Sequence, residues 1–438
     1  MPIQEYTPIV KELHKLIYDN GWEGDFAKGI EKAFSLAKKD LLEARIYEGK
    51  TPAETVTSFL DFCDRYMKWV PETTSRRDEA LWMLSVFYFV FDQVPIFSDK
   101  YQTPISSKET PQERPVSKWL LGYAKALGTW MDTPDSSEKV ATFSENPEYT
   151  VFQYFKPKHG WSAFNQFFAR KVNPIYRPIA PKNTVASPCD AKFDGYWKIE
   201  DNGDVILPSL NLKGINWPIE KLLGSLNDLD GKITPEDFYG GTFMHSFLLP
   251  NNYHRVHAPV SGKLVGYKAI PGDVYLEVTA DEEKKRIGHI PRFMDPKDGK
   301  NPQNDVHAQD TPGYQWNQVR GMWIFDTSGS TDIDIGTVVL FAVGMAQISS
   351  VVTDLSPSDD GDIEDDNVKR IHYPQPGDPV NKGDEIGYLK YGGSDYIILF
   401  QKDTVEFVSP DYRVGPLATG TPQKGALYLQ GAALVSKK

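Results

Sequence analysis

Apolar residues in the first third of the chain recur with a helical period. Ile9, Leu13, Leu16 and Ile17 share one face, as do Phe26, Ile30, Phe34 and Leu36. Thr51-Pro52-Ala53-Glu54 has the form of a capped helix start, with proline in the first turn and an acid after it. Further helices are predicted over 60–69, 78–91 and 116–131. The longest uncharged apolar run, 80–91, is too short to span a bilayer and reads as a buried helix. Trp, Tyr and Phe are frequent here and are expected to fill a core. Thr133-Pro134-Asp135-Ser136-Ser137 reads as a linker. After Trp161 the pattern changes. Residues 164–170 form a last short helix, and Pro174, Pro178 and Pro181 then break the chain into extended pieces. From Thr184 onward, short β-rich runs such as 263–267, 337–343 and 396–400 alternate with Gly, Pro and Asn turns. The pattern predicts an α+β protein: a helical N-terminal domain over 1–140, then a mostly β, sandwich- or barrel-like domain over 150–438.

Charge narrows the partners. A formal net charge of −12 over 438 residues argues against a nucleic-acid partner, which needs a basic face. It also argues against stable docking on an anionic membrane. The two cysteines, Cys63 and Cys189, form no CxxC, and the N-terminus lacks the basic and apolar regions of a secretory signal. A reducing, cytoplasmic setting without a membrane anchor is expected.

Four clusters bear chemistry. The first is Ser187-Pro188-Cys189-Asp190, an acid at the mouth of the β region, which as a lone turn residue reads as a backbone cap. The second is Tyr253-His254-Arg255-Val256-His257-Ala258-Pro259. Two of the eight histidines stand three apart there, a spacing poor for zinc and better for a base plus a second proton donor. The third is Gly392-Gly393-Ser394, where a hydroxyl follows an unshielded glycine carbonyl. On its own it reads rather as a hairpin turn, and Ser328-Gly329-Ser330 repeats the pattern. The fourth is the acidic loop 359–366. Its Asp360, Asp362 and Glu364 have the alternation of early calcium-loop ligands, although a solvated loop is the commoner meaning of such a cluster. A hydrolase triad would also use Asp, His and Ser, but no GxSxG surrounds either serine.

Taken in order, these clusters resemble the phosphatidylserine decarboxylase family of pyruvoyl-dependent enzymes. The resemblance runs through 164–170 and Arg177-Pro178-Ile179, then Ser187 to Asp190, the two-histidine motif and Val343-Gly344-Met345. It ends with Lys382-Gly383-Asp384-Glu385-Ile386-Gly387 leading into Gly392-Gly393-Ser394. It covers about residues 150–438 and favours Ser394 over Ser330 as the processed serine. It implies that Asp190 orients His257 and that His257 is the base for Ser394. Ser394 would attack the Gly393 carbonyl, and self-cleavage between the two would turn it into a pyruvoyl group. That group would form a Schiff base with the substrate amine and act as electron sink, with His254 protonating the carbanion. One position departs: Asp395 stands where the family usually has Ser or Thr, and a carboxylate beside the new ketone is expected to alter processing or substrate charge. The domain order and Ser246-Phe247-Leu248 look like the fungal L-tryptophan decarboxylase branch. A free aromatic amino acid is therefore the expected substrate, with Phe247 lining its pocket. Phosphatidylserine is the alternative substrate, and an uncleaved binding protein the alternative function.

Overall fold

The computed structural model describes residues 5–73, 79–94, 114–205, 217–226, 233–287 except 277, 279 and 282, 316–347, 350–356, 373–407 and 426–438. Five long helices open the chain: Pro8–Asp19, Glu23–Glu43, Pro52–Tyr66, Glu79–Gln93 and Pro115–Met131. Thr51 caps the third by accepting the Glu54 N–H, and Pro52 fills the first helical position. Burial follows the apolar spacing: Val10, Leu13 and Ile17 in the first helix, and Val56, Phe59, Leu60, Cys63 and Tyr66 in the third. Helix Glu79–Gln93 is buried on nearly every side, as the run 80–91 predicted. The expected linker is instead a short 3-10 helix, Pro134–Ser137. Ser136 is buried there and its hydroxyl accepts the Phe164 N–H.

The β part is built on an open antiparallel sheet of eight strands. In spatial order these are Pro379–Val380, Gly262–Ile270, Val319–Asp326, Thr337–Gly344, Ser394–Phe400, Thr242–Leu248, Ala191–Lys198 and Leu427–Tyr428. The α+β expectation holds, but among the described residues no barrel closes. Both edge strands are only two residues long, which limits the unpaired backbone that an open sheet exposes. Two three-stranded sheets accompany the main one. One contains Arg255–His257 beside Glu385–Leu389, the other Thr184–Ala186 beside Ala433–Lys437.

Strand alternation gives the main sheet two apolar faces. Tyr396 and Ile398 face one core with Met244, Leu248, Val256 and Ala258, whereas Ile397 and Leu399 face another with Phe243, Phe341 and Val343. A third core fills the helical region and extends into the β part to include Phe247, Met345, Ala346 and Tyr391.

Candidate active site

The Gly392–Ser394 turn is held from three directions. The Tyr391 N–H donates to Asn165 Oδ1 at 2.9 Å, and the Tyr391 hydroxyl donates to the Ala80 carbonyl at 3.1 Å. Gly392 sits at φ +148°, a conformation that side chains rarely adopt. The Gly393 N–H donates to the Ala346 carbonyl, and the Gly393 carbonyl accepts the Met345 N–H, each at 2.9 Å. A Cβ added at Gly393 would lie 3.7 Å from Met345 Cβ, an ordinary contact. Packing therefore does not demand glycine at 393.

Ser394 is fully buried and starts a central strand, paired with Gly344 on one side and Leu248 on the other. Its Oγ lies 3.0 Å from His254 Nδ1. The other ring nitrogen, Nε2, is 3.0 Å from the Leu249 carbonyl. A carbonyl only accepts, so Nε2 carries the hydrogen and Nδ1 presents its lone pair to the serine hydroxyl. Burial, reinforced by the Arg170 charge, lowers the His254 pKa to about 3, so the ring stays neutral. Phe168 stacks on the imidazole with ring centres 4.0 Å apart. Arg170 donates to the Asn251 and Asn252 carbonyls and stacks over Tyr154, fixing the turn that delivers the histidine. Segment 164–170 is thus the rear wall of the site.

The other residues singled out in the sequence are arranged differently from the expected triad. Asp190 clasps Arg177 in a buried pair, at 2.9 Å to Nε and 2.6 Å to the terminal nitrogen, and also accepts the Gln430 N–H at 2.7 Å. The ring of His257 is engaged elsewhere: Nδ1 with the Gly383 carbonyl at 2.7 Å, and Nε2 with the Tyr253 hydroxyl at 2.8 Å. Asp190 therefore meets Arg177 rather than His257, and Ser394 meets His254 rather than His257. Linear motifs specify which residues gather but not which atoms touch. Phe247 is buried on the sheet face opposite the Ser394 hydroxyl, as the cross-strand partner of Asp395. Ser330 sits in a turn where its hydroxyl accepts the Asp332 N–H. Asp360, Asp362 and Glu364 lie outside the described residues, and among those described no cluster of three or more acidic, His or Cys side chains is arranged for a metal.

Sequence reasoning passed over His245 and Asp194 entirely. His245 Nε2 is 3.0 Å from Asp395 Oδ2, and its Nδ1 is 2.9 Å from Asp194 Oδ2, all three residues being buried. A histidine inside the mostly apolar, buried Thr242–Leu248 strand was the available signal, because a buried polar ring needs partners.

A family model described as phosphatidylserine decarboxylase matches residues 164–418, more than half of the chain. The chain belongs to the phosphatidylserine decarboxylase family. Family members are pyruvoyl-dependent carboxy-lyases. Among curated relatives, phosphatidylserine decarboxylase proenzyme 2 of Oryza sativa subsp. japonica is 26% identical over 297 residues, 67% of this chain and 38% of the rice protein. Proenzyme 3 of Schizosaccharomyces pombe is 28% identical over 295 residues, 67% of this chain and 24% of that protein. The Brevibacillus brevis proenzyme is 26% identical over 321 residues, 72% of this chain and 93% of the relative. The chain thus spans less than two fifths of the rice and yeast proteins and nearly all of the bacterial one. Among the described residues no helix is long and apolar enough to cross a membrane. The family's prosthetic group is made from a serine of the chain itself, and Ser394 fits that origin: it is buried, set on a neutral imidazole and preceded by a glycine carbonyl on an N–H donor.

Proposed function

We propose that this chain is a proenzyme that cuts itself between Gly393 and Ser394 and then decarboxylates an amine-bearing carboxylate. The contact between Ser394 Oγ and His254 Nδ1, beside a Gly393 carbonyl fixed on the Met345 N–H, carries the proposal. The Ser394 oxygen attacks the Gly393 carbonyl carbon. Charge develops on the Gly393 oxygen against the Met345 N–H, which already points there. His254 Nδ1 takes the hydroxyl proton and returns it to the Ser394 nitrogen as the peptide C–N bond breaks, leaving an ester. Loss of the Ser394 Cα proton then expels the Gly393 carboxylate and leaves dehydroalanine. Its imine tautomer takes up water and releases ammonia, giving the pyruvoyl group.

That group supplies the electron sink for the pair left behind when carbon dioxide departs. The chain's own residues supply position and protons. The fixed His254 tautomer keeps one nitrogen directed at the reacting atoms, and Phe168 and Arg170 hold the ring against rotation. His257, bridging Tyr253 and Gly383, holds the adjoining loops and has the secondary role in this reading.

The names of the relatives favour the serine head group of phosphatidylserine as substrate. A second reading, a free aromatic amino acid such as tryptophan or phenylalanine, draws on the Tyr66, Tyr88, Tyr391 and Phe247 rings that pack in one core with Met345 and Ala346 behind the cleavage turn. The assay offers purified protein phosphatidylserine in mixed micelles, L-tryptophan and L-phenylalanine, and measures carbon dioxide. Release from the lipid alone supports the first substrate; release from an amino acid alone replaces it with the second. An intact, phenylhydrazine-unreactive chain that turns over neither would be a non-catalytic binding protein.

A further inference from the structure

Ser394 and Asp395 are neighbours in sequence but not in environment. Strand alternation turns Ser394 toward the core of Leu248 and Tyr396, and Asp395 toward the opposite face with Phe247, Val343 and Ile397. On that face Asp395 meets His245 at 3.0 Å, and His245 meets Asp194 at 2.9 Å. Asp194 lies where the pairing register slips between Phe193 and Gly195. Phe193 faces the core of Met244 and Tyr396, so Asp194, the extra residue, turns to the opposite face, that of His245, and stands beside Gly195, which pairs with His245. The three groups come from three adjacent strands: Ala191–Lys198, Thr242–Leu248 and Ser394–Phe400. Burial disfavours a charge on the ring, but the Asp395 and Asp194 carboxylates outweigh it and push the His245 pKa up to about 10.

We infer that the Asp194–His245–Asp395 chain is a clamp across the cleavage point, which holds the new terminus at residue 394 in the sheet once the backbone is cut. The inference rests on self-cleavage between Gly393 and Ser394. After that cut, Asp194 and His245 belong to the 1–393 piece and Asp395 to the 394–438 piece, so an internal contact becomes a contact between chains. Cutting removes the covalent restraint through Gly393 and makes the reactive residue a chain end, where strands fray. Pairing with Gly344 and Leu248 remains, and the clamp adds a charged side-chain tether one residue from the terminus. Asp194 and His245 are positioning residues in this account: they act through Asp395.

The test uses full-length wild type and the variants Asp395→Asn, His245→Gln and Ser394→Ala. Cleavage is read by denaturing mass spectrometry, the ketone by phenylhydrazine titration, and kcat and KM are normalised to titrated ketone. Wild type that stays intact overturns the self-cleavage reading itself. With wild type processed, Asp395→Asn and His245→Gln are expected to cleave, yet to lose about tenfold or more in kcat per ketone with KM within about twofold, the loss that misplaced reacting groups produce. Processed variants that keep wild-type kcat overturn the clamp. A second measurement does not depend on those variants folding. Hydrogen exchange of the 395–400 amides is compared between processed wild type and uncleaved Ser394→Ala. Retained protection in the processed protein is expected; exchange at free-peptide rates there would overturn the clamp.

Discussion

Two buried histidines flank the same strand and carry different charge states. His254 approaches from the Ser394 side, meets a hydroxyl and a backbone carbonyl with Arg170 nearby, and is held neutral. His245 lies on the Asp395 side between two carboxylates and is held as a cation. Burial is the same for both and pushes both toward the neutral form; the partners decide the outcome. A proton acceptor and a charged tether have been made from one residue type by placing them on the two faces of one sheet.

The largest expected effect is that of Ser394→Ala, which removes the group His254 faces. The chain is expected to stay as one species by denaturing mass spectrometry and to be unreactive toward phenylhydrazine. Cleavage in this variant would move attention to Ser330. Next, His254→Ala is expected to slow cleavage by about a hundredfold or more, the usual worth of a positioned proton acceptor. His257→Ala should slow it far less, as followed by gel over time. The reverse order would restore His257 as the base.

Asp190→Ala breaks a buried ion pair that touches neither Ser394 nor His254. It should cost about 3–5 kcal/mol of unfolding free energy in denaturant titrations, with the Arg177 charge left uncompensated.

A further effect is in the pH dependence of stability. Between its ordinary 6.5 and about 10, folded protein keeps the His245 proton that unfolded chain releases. That contribution is complete below about pH 6.5 and drains away as pH rises toward 10. His254 works in the other sense. Between 6.5 and about 3 the unfolded chain takes a proton that the folded ring refuses, so stability falls as pH drops through that window. His245→Gln should flatten the alkaline limb of Tm against pH and leave the acid limb in place. Equal slopes on the alkaline side in both proteins would remove the charged-tether description.

Much of this arrangement was legible in the sequence. The helical period announced the N-terminal helices, the run 80–91 its burial, and the ordered motifs named Ser394 and His254, which the fold brings together. The contacts were less legible, because a motif in one dimension names residues without pairing them. Asp190 and His257 stand close enough that the His257 N–H bonds the Pro188 carbonyl, yet their side chains turn to Arg177, Gly383 and Tyr253. Asp395 looked like a carboxylate beside the future ketone. Only the strand register shows that successive side chains there point to opposite faces. Closure was equally hidden, since strand content alone does not distinguish an open eight-stranded sheet from a barrel.

Tyr391 places the cleavage turn under the control of the helical region. Its ring packs in the same core as the helices, and its hydroxyl meets Tyr66 and the Ala80 carbonyl. Chains are made from the N-terminus, and early regions fold while later ones are still being added. Residues 391–394 thus follow the helices by some hundreds of residues and arrive on a surface the helices have already built. The order of synthesis then acts as a safety catch: the Gly393–Ser394 bond takes up its geometry only after the helical region is in place to receive it.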